Sequence, residues 1–377
     1  MRLNAVSALL ALLAAAPSLA QGLTAPPSGN NQRSTVSQQI GAVTVTVEYS
    51  SPRVTLNGQN RRGKIYNTPV VPYGLTNLGF GTCKECPWRA GANESTTFTA
   101  THAVKVQGKA LPAGRYGLFM IPGENEWTVI FSKDSSAWGS FYYEIKDDQL
   151  RVKTKAAKSD YHEWLTFEFT EREPAKATVA LRWEDLQVPL TITVDDPNAL
   201  YVEQMRKELH TPIGFSSASY KQAADFALQN KIALPQALGW AQTAVNGTFI
   251  GQENFGTLLT LSRAQAANGQ EAEGKKTEAK AFAHATAGPL DLHQAGRQLL
   301  AEGKKDEAMR VFQLNAERHP NQWPIQVGLM RGYAAMGEVK KALDAAKLAI
   351  GQAPDPQNKA TLEAIIKKLE DGKGDIN

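Results

Sequence analysis

The residues with the clearest potential for chemistry lie between positions 83 and 94. Arg89, Asn93 and Glu94 flank Gly91, so a cation, an amide and a carboxylate share one short glycine-containing run. Such a set can bind a polar ligand, and a desolvated Glu94 could serve as a general base. The alternative is an internal ion pair that fixes the loop to its sheet. The sequence alone leaves both interpretations open.

A second reactive pair lies just before this run. Cys83 and Cys86 form a C-x-x-C motif, which can be a structural disulfide, a redox dithiol or half of a zinc site. A thioredoxin-like motif follows a strand and opens a helix. Here Gly79-Phe80-Gly81 precedes the pair and Pro87 follows it, which is typical of a loop. We therefore expect a local disulfide, with free or metal-bound thiols and catalytic redox chemistry as alternatives.

Motifs for cofactor chemistry are missing from the sequence. It contains no Gly-x-Ser-x-Gly, phosphate loop, dinucleotide fingerprint or His-Glu-x-x-His, so we predict no cofactor and no metal site. The formal net charge of +4 is too small to indicate nucleic-acid binding. With 377 residues, 42% of them hydrophobic, the chain is long enough for about two domains.

The first 35 residues have the sequence features of a signal peptide followed by a flexible leader. Residues 1–20 have the pattern of a signal peptide: Arg2, an apolar run too short to span a bilayer, and Ser18-Leu19-Ala20 as a cleavage site. The mature protein is therefore expected to be exported to a periplasm or outside the cell, without spanning a membrane. Residues 21–35 are polar and rich in Pro, Gly and Asn, which predicts a flexible leader.

Residues 36–195 have a hydrophobic period of two. Val43, Val45 and Val47 alternate with polar residues, as in a half-buried strand. Similar runs follow at 98–106, 116–121, 127–131, 150–154, 165–169, 178–183 and 188–194. Many short strands without intervening helices predict an antiparallel β-sandwich. The tryptophans of this region are expected to fill its core, with a ligand-stacking face as the alternative.

The remaining chain has a helical period. Residues 196–215 are interpreted as a linker that contains a short helix at 199–210, and residues 216–372 as an α-helical hairpin array. Gly303 recurs as Gly337 and Pro320 as Pro354, a shift of 34 residues that is typical of tetratricopeptide repeats. Ala308-x3-Phe312 fits the second helix of such a repeat, although Ala346 stands where the next phenylalanine is expected. A plain helical bundle is the alternative.

Several motifs of the strand region carry a family resemblance. In order, they are Ser51-Pro52-Arg53, Val71-Pro72-Tyr73-Gly74, Pro87-Trp88-Arg89-Ala90-Gly91-Ala92-Asn93-Glu94, Leu111-Pro112-Ala113-Gly114-Arg115-Tyr116-Gly117-Leu118-Phe119, Trp127-Thr128-Val129-Ile130-Phe131 and Trp138-Gly139-Ser140. Through them, residues 32–195 resemble the bacterial domain-of-unknown-function family 2911 (DUF2911). The resemblance implies an exported bacterial protein with a β-sandwich and no established activity. The long segment between Tyr73 and Trp88, which holds both cysteines, departs from many relatives.

These observations predict an exported, non-enzymatic binding or scaffolding protein whose helical repeats bind a protein or peptide. The alternative is a periplasmic hydrolase that uses the region of Arg89, Asn93 and Glu94. The candidate ligand-binding residues are these three together with Trp88, Arg53 and Tyr116, which lie in the family motifs.

Overall fold

The chain folds into two compact units. The structure, a computed structural model, describes residues 31–320 and 322–371, and the predicted signal peptide lies outside these ranges. The boundary between the units falls between Pro197 and Asn198. The first unit is rich in strands and the second is helical.

The described residues of the first unit form twelve strands, joined mostly by turns. Their bounds are Asn31–Ile40 (β1), Val43–Pro52 (β2), Thr55–Leu56 (β3), Gln59–Asn60 (β4), Thr97–Ala100 (β5), Val104–Val106 (β6), Lys109–Leu111 (β7), Gly114–Ile121 (β8), Glu126–Ser132 (β9), Asp148–Lys155 (β10), Ala157–Glu173 (β11) and Lys176–Thr193 (β12).

Two larger antiparallel sheets organise this unit. One has the strand order β1-β2-β5-β8-β9-β10, the other β11-β12-β6-β7, and β3 pairs with β4 separately. Val43, Val45 and Val47 of β2 are fully buried, as the alternating pattern predicts. Tyr49 of β2 meets Phe167 of β11 edge-on, with ring centroids 5.0 Å apart. Apolar side chains of the two sheets are therefore in direct contact.

The first strand begins earlier than the sequence predicts. Residues 31–35, assigned above to a flexible leader, belong to β1, which pairs with β2 from Asn31↔Pro52 to Ile40↔Val43. The polar composition of this segment was misleading because an edge strand is held by backbone hydrogen bonds and needs few apolar side chains.

Two other strand predictions differ from the structure in their limits. The run at 98–106 is divided between β5 and β6, which lie in different sheets, because the chain bends at Thr101 and His102. The runs at 178–183 and 188–194 belong largely to one strand, β12, which passes through Glu184 at φ 55°. Periodicity alone does not reveal such a local bend within a continuous strand.

Helices make up the second unit. Their bounds are Pro197–Glu208 (α1), Ser217–Gln229 (α2), Leu234–Asn246 (α3), Phe255–Ala267 (α4), Glu271–Ala283 (α5), Pro289–Ala301 (α6), Lys305–Arg318 (α7), Trp323–Ala335 (α8), Val339–Ile350 (α9) and Pro356–Glu370 (α10). The predicted linker at 196–215 contains α1, whose Val202 packs with Leu209 in the same apolar core as α2 and α3. Most of this segment is therefore an integral part of the helical unit.

The helices repeat with a constant period. Helices α4, α6 and α8 begin at residues 255, 289 and 323, each 34 residues after the one before. Gly269, Gly303 and Gly337 follow the same spacing, and each has a φ of 78–79°. These glycines permit the left-handed turn between the two helices of each pair.

One aromatic ring fills the junction between α6, α7 and α8. Phe312 is 1% exposed, and a Cβ atom at Gly296 would lie 2.4 Å from its ring. A Cβ at Gly328 would approach the ring to 2.7 Å. One period later these three positions are occupied by Ala346, Met330 and Leu362, which all belong to the next apolar cluster. The bulky groups thus come from the middle helix at the first junction and from the outer helices at the second.

Candidate functional site

The first unit contains a cleft of about 970 Å³ whose lining combines apolar surface with arginine and asparagine side chains. Apolar patches come from prolines, Leu56 and Leu78. Among the described residues that line it, none is Asp, Glu, Lys or His. The arginine and asparagine side chains of the lining, which supply its charge and amide groups, are Arg53, Arg61, Arg89, Asn31, Asn57, Asn67, Asn77 and Asn93.

Loop 87–96 forms one wall of this cleft and is fixed to the six-stranded sheet. Trp88 pairs with Met120 of β8 through two backbone hydrogen bonds, of 2.7 and 2.8 Å. The Trp88 ring is 8% exposed and meets Trp127 edge-on at 6.1 Å. At the far end of the loop, the Thr96 hydroxyl donates to the carbonyl of Ala90 at 2.9 Å. Trp88 is therefore mainly a core anchor for the loop.

Arg89 is held from several sides. Its Nη1 donates to the carbonyl oxygen of Asn93 at 2.8 Å, and its Cζ lies 5.2 Å from the ring centroid of Phe141. A Cβ atom at Gly139 would be 2.7 Å from this Cζ, so only glycine permits the observed approach. Desolvation by burial lowers the pKa of Arg89. No carboxylate of the described residues forms an ion pair with it.

An internal ion pair between Arg89 and Glu94, the alternative that the sequence left open, does not form among the described residues. Glu94 accepts a hydrogen bond from Ser50 Oγ at 3.1 Å and lies 3.7 Å from Arg33. Its side chain is 45% exposed and does not line the cleft. Asn93 does line the cleft, and its Oδ1 accepts from Asn31 Nδ2 at 3.2 Å. Backbone geometry explains the separation, because Asn93 has a φ of 55° and the chain turns there.

Two arginines lie on another part of the cleft. Arg53 Nε contacts Glu163 at 3.4 Å, and its guanidinium lies 5.1 Å from the centre of the Trp164 ring. Arg61 donates to the backbone carbonyls of Arg53 and Val54, at 2.7 and 3.1 Å. Arg53 was selected from the sequence, whereas Arg61 was not.

Tyr116 is the other candidate that the structure places outside the cleft. It is 6% exposed, its hydroxyl donates to the carbonyl of Pro112 at 3.0 Å, and its ring meets Phe131 edge-on. Burial raises its pKa. Its role is to close the Pro-Ala-Gly turn against β8. Of the six candidates, the cleft therefore unites Arg53, Trp88, Arg89 and Asn93.

The cysteine loop supports the residue that packs on Arg89. Cys83 and Cys86 are joined in a disulfide. The Cys83 N–H donates to the carbonyl of Phe141 at 2.9 Å, and Phe80 meets the Phe141 ring edge-on at 5.4 Å. The disulfide loop thus holds Phe141, which in turn covers one face of the Arg89 guanidinium.

Sequence reasoning missed the wall formed by residues 56–78. Asn57, Asn67 and Asn93 all have positive φ values, of 49°, 55° and 55°. Asparagine tolerates this backbone region better than other non-glycine residues. The density of Asn, Pro and Gly between positions 57 and 79 was the available signal, and it indicates a structured loop that folds back on itself.

Comparison with known families finds a match in the strand unit. Residues 31–192 match the sequence model of a family described as "Protein of unknown function (DUF2911)". This match confirms the resemblance derived from the motifs, over nearly the same range. No curated protein matches the chain.

Comparison with solved structures finds weak likenesses. "YrrB: a TPR protein with an unusual peptide-binding site" shares 19% identity over 45% of this chain and 84% of that chain, with a TM-score of 0.29. A MamA structure ("MamA AMB-1 P212121") shares 17% over 42% and 84%, with a TM-score of 0.27. A human IFIT1 dimer with m7Gppp-AAAA shares 18% over 48% and 44%, with a TM-score of 0.29. No conclusion about this chain follows from TM-scores this low.

The described ranges contain neither a cluster of metal ligands nor a membrane-spanning helix. Within residues 31–320 and 322–371, no group of three or more His, Cys, Asp or Glu side chains is placed to hold a metal ion. Each helix in those ranges is too short or too polar to cross a bilayer.

Proposed function

We propose that the protein is an exported, non-catalytic binding protein. In this proposal a β-sandwich carries a cleft for a polar ligand, and an array of helical hairpins binds a protein or peptide. The contact between Tyr49 and Phe167 across the two larger sheets supports the sandwich. The 34-residue recurrence of helix starts supports the hairpin array.

The observation that carries the proposal is the lining of the cleft. Its volume of about 970 Å³ is near the upper end of the usual range for ligand sites, roughly 300–1,000 Å³. Arginine and asparagine side chains supply hydrogen-bond donors and acceptors. Glu94, the base required by the hydrolase alternative, lies outside this lining beside Arg33.

Ligand screening with a blocked cleft tests this function. Purified protein would be screened by thermal shift against neutral and charged sugars, nucleotides and short peptides. Leu78→Trp adds bulk at a cleft-lining side chain that is 37% exposed. Leu75→Trp is the matched control, because Leu75 is similarly exposed in the same loop but does not line the cleft. A ligand whose binding is lost only in Leu78→Trp supports the proposal, and ligands unaffected by Leu78→Trp contradict it.

A second observation favours a protein partner for the helical unit. Phe215, Phe249 and Leu290 are 81%, 101% and 60% exposed. Phe215 and Phe249 lie in the connections that lead into α2 and α4, and Leu290 is the second residue of α6. In an array of antiparallel hairpins these helix starts share one end. Exposed apolar side chains concentrated in one region are typical of a protein contact.

Capture experiments test this second binding mode. The double variant Phe249→Ser, Leu290→Ser should lose a partner that the unaltered protein retains. Met336→Ser is the control, because Met336 is 40% exposed but follows the opposite end of a helix, at the C-terminus of α8. Equal capture by all three proteins would contradict a docking role for these residues.

A further inference from the structure

We infer that the cleft of the strand unit binds a polyhydroxylated organic anion, and that Arg89 receives its carboxylate or phosphate group. This inference rests on the proposed binding function and specifies its ligand class.

The first argument is the state of the Arg89 guanidinium. It is half-buried at the cleft and packs between Phe141 and Gly139. Among the described residues, it donates one hydrogen bond, to the carbonyl oxygen of Asn93. A guanidinium offers five N–H donors in a fixed planar arrangement. A desolvated cation with most of its donors unused matches the oxygen pair of a carboxylate or phosphate.

The second argument is the charge balance of the whole lining. Arg53 and Arg61 add positive charge near Arg89, and the described lining residues include no acidic side chain. Glu163 forms an ion pair with Arg53 at 3.4 Å and offsets much of its charge, whereas none of the described carboxylates pairs with Arg61 or Arg89. The uncompensated guanidiniums of Arg61 and Arg89 leave the cleft complementary to an anion.

The third argument concerns the rest of the ligand. Asn57, Asn67 and Asn77 belong to the part of the lining formed by residues 56–78, together with Thr68 and Tyr73. Amide and hydroxyl groups both donate and accept hydrogen bonds, as sugar hydroxyls do. A volume of about 970 Å³ accommodates more than a simple inorganic ion. An acidic or phosphorylated sugar therefore fits both the charge and the size.

Calorimetry with defined probes tests the inference. The probes are trigalacturonate, glucose 6-phosphate, inorganic phosphate and the neutral maltotriose. We expect trigalacturonate or glucose 6-phosphate to bind about tenfold or more tightly than maltotriose, and the preferred probe distinguishes a carboxylate from a phosphate. Arg89→Gln should weaken that binding by about tenfold or more, and Arg89→Lys by less, because lysine keeps the charge without the planar fork. Arg115→Gln is the matched control, since Arg115 is an exposed arginine that pairs with Glu48 outside the cleft lining.

The outcomes separate this inference from the broader function. Equal affinity for acidic and neutral probes, or acid binding unchanged in Arg89→Gln, overturns the anion assignment. A neutral ligand whose binding is abolished by Leu78→Trp would still support a binding cleft. Binding of none of the organic probes, or of inorganic phosphate alone, would overturn the assignment to a polyhydroxylated anion.

Discussion

At the scale of single residues, Arg89 carries a charge in a place that does not favour it. Burial disfavours the charged form, and a hydrogen bond to one carbonyl replaces only part of the lost hydration. Phe141 offsets part of this cost through a cation–π contact. Binding sites commonly hold polar groups in this way, at some expense of stability.

Arg89→Met should therefore leave the stability of the strand unit unchanged within about 0.5 kcal/mol, or raise it. Methionine keeps the aliphatic packing while removing the desolvated charge. Urea unfolding measures the effect. Arg182→Met is the comparison, because Arg182 pairs with Glu168 at 2.8 Å and its removal should destabilise the unit. A loss of more than about 2 kcal/mol in Arg89→Met would indicate a structural role instead.

His293 is a second residue whose environment opposes its charge. Burial, and then the nearby Arg331, lower its pKa to about 4. Its Nδ1 is buried without a hydrogen-bond partner among the described residues, and its ring lies 6.0 Å from that of Phe312. Because Arg297 also repels a proton here, the folded protein keeps this imidazole neutral well below its ordinary pKa of 6.5.

The helical unit should accordingly lose stability as the pH falls from about 6.5 to about 4. Over this range the unfolded chain binds a proton at His293 and the folded chain does not, so protonation favours unfolding. We expect His293→Gln to remove about 2 kcal/mol of this pH dependence, a figure that allows for partial solvent exposure. Urea unfolding of the helical unit at pH 7 and pH 4.5 measures it. His210→Gln changes an exposed histidine and should behave like the unaltered protein.

At the scale of elements, the helix pairs approach closely because small residues recur where they meet. Gly274, Ala308 and Ala342 are each 34 residues apart and all are buried. The sequence revealed this repeat from Gly303 and Gly337, and the structure adds Gly269 as an earlier member. The earlier copy was missed because Glu278 stands at the position of Phe312 and leaves no apolar signature.

Gly296→Ala should destabilise the helical unit by about 1–3 kcal/mol, because the added methyl group overlaps the Phe312 ring. The intrinsic helix preference of alanine would offset up to about 1 kcal/mol of the steric cost. Gly239→Ala in α3 is the control, since nothing lies within 4 Å of the added atom. There we expect a gain of up to about 1 kcal/mol. Equal effects of the two changes on the urea midpoint would show that Phe312 can move aside.

The cleft shows where sequence reasoning succeeds and where it stops. Arg89 and Asn93 were found because they lie within six residues of Trp88 in a dense motif. Arg61 and Asn67 belong to a segment without hydrophobic period, which is held by backbone hydrogen bonds to distant residues such as Glu163 and Pro122. Contacts between residues that are distant in sequence depend on the tertiary fold, which a local sequence pattern does not reveal.

At the scale of the whole molecule, each unit has its own apolar core and its own proposed binding role. The strand unit is proposed to bind a small anion, and the helical unit a protein segment. The two proposed binding roles therefore belong to separate units of the chain.

Export is the remaining prediction at this scale. We expect the mature chain to begin at Gln21, because Ser18-Leu19-Ala20 fits a signal-peptidase site. N-terminal sequencing of protein recovered from the periplasm or culture medium measures it. An intact Met1 on the recovered protein would contradict the prediction.

The large side chain lies on the middle helix at one junction, as Phe312, and on the outer helices at the next, as Met330 and Leu362. This difference in packing distinguishes the helix pairs from one another. Pairs that share a 34-residue period could in principle stack in the wrong order, one step out of place. If α9 replaced α7 against Gly296 and Gly328, Ala346 would leave a void where the phenylalanine ring belongs. If α7 replaced α9, its ring would collide with Met330 and Leu362. Each wrong pairing of neighbouring repeats is therefore disfavoured by its own packing defect.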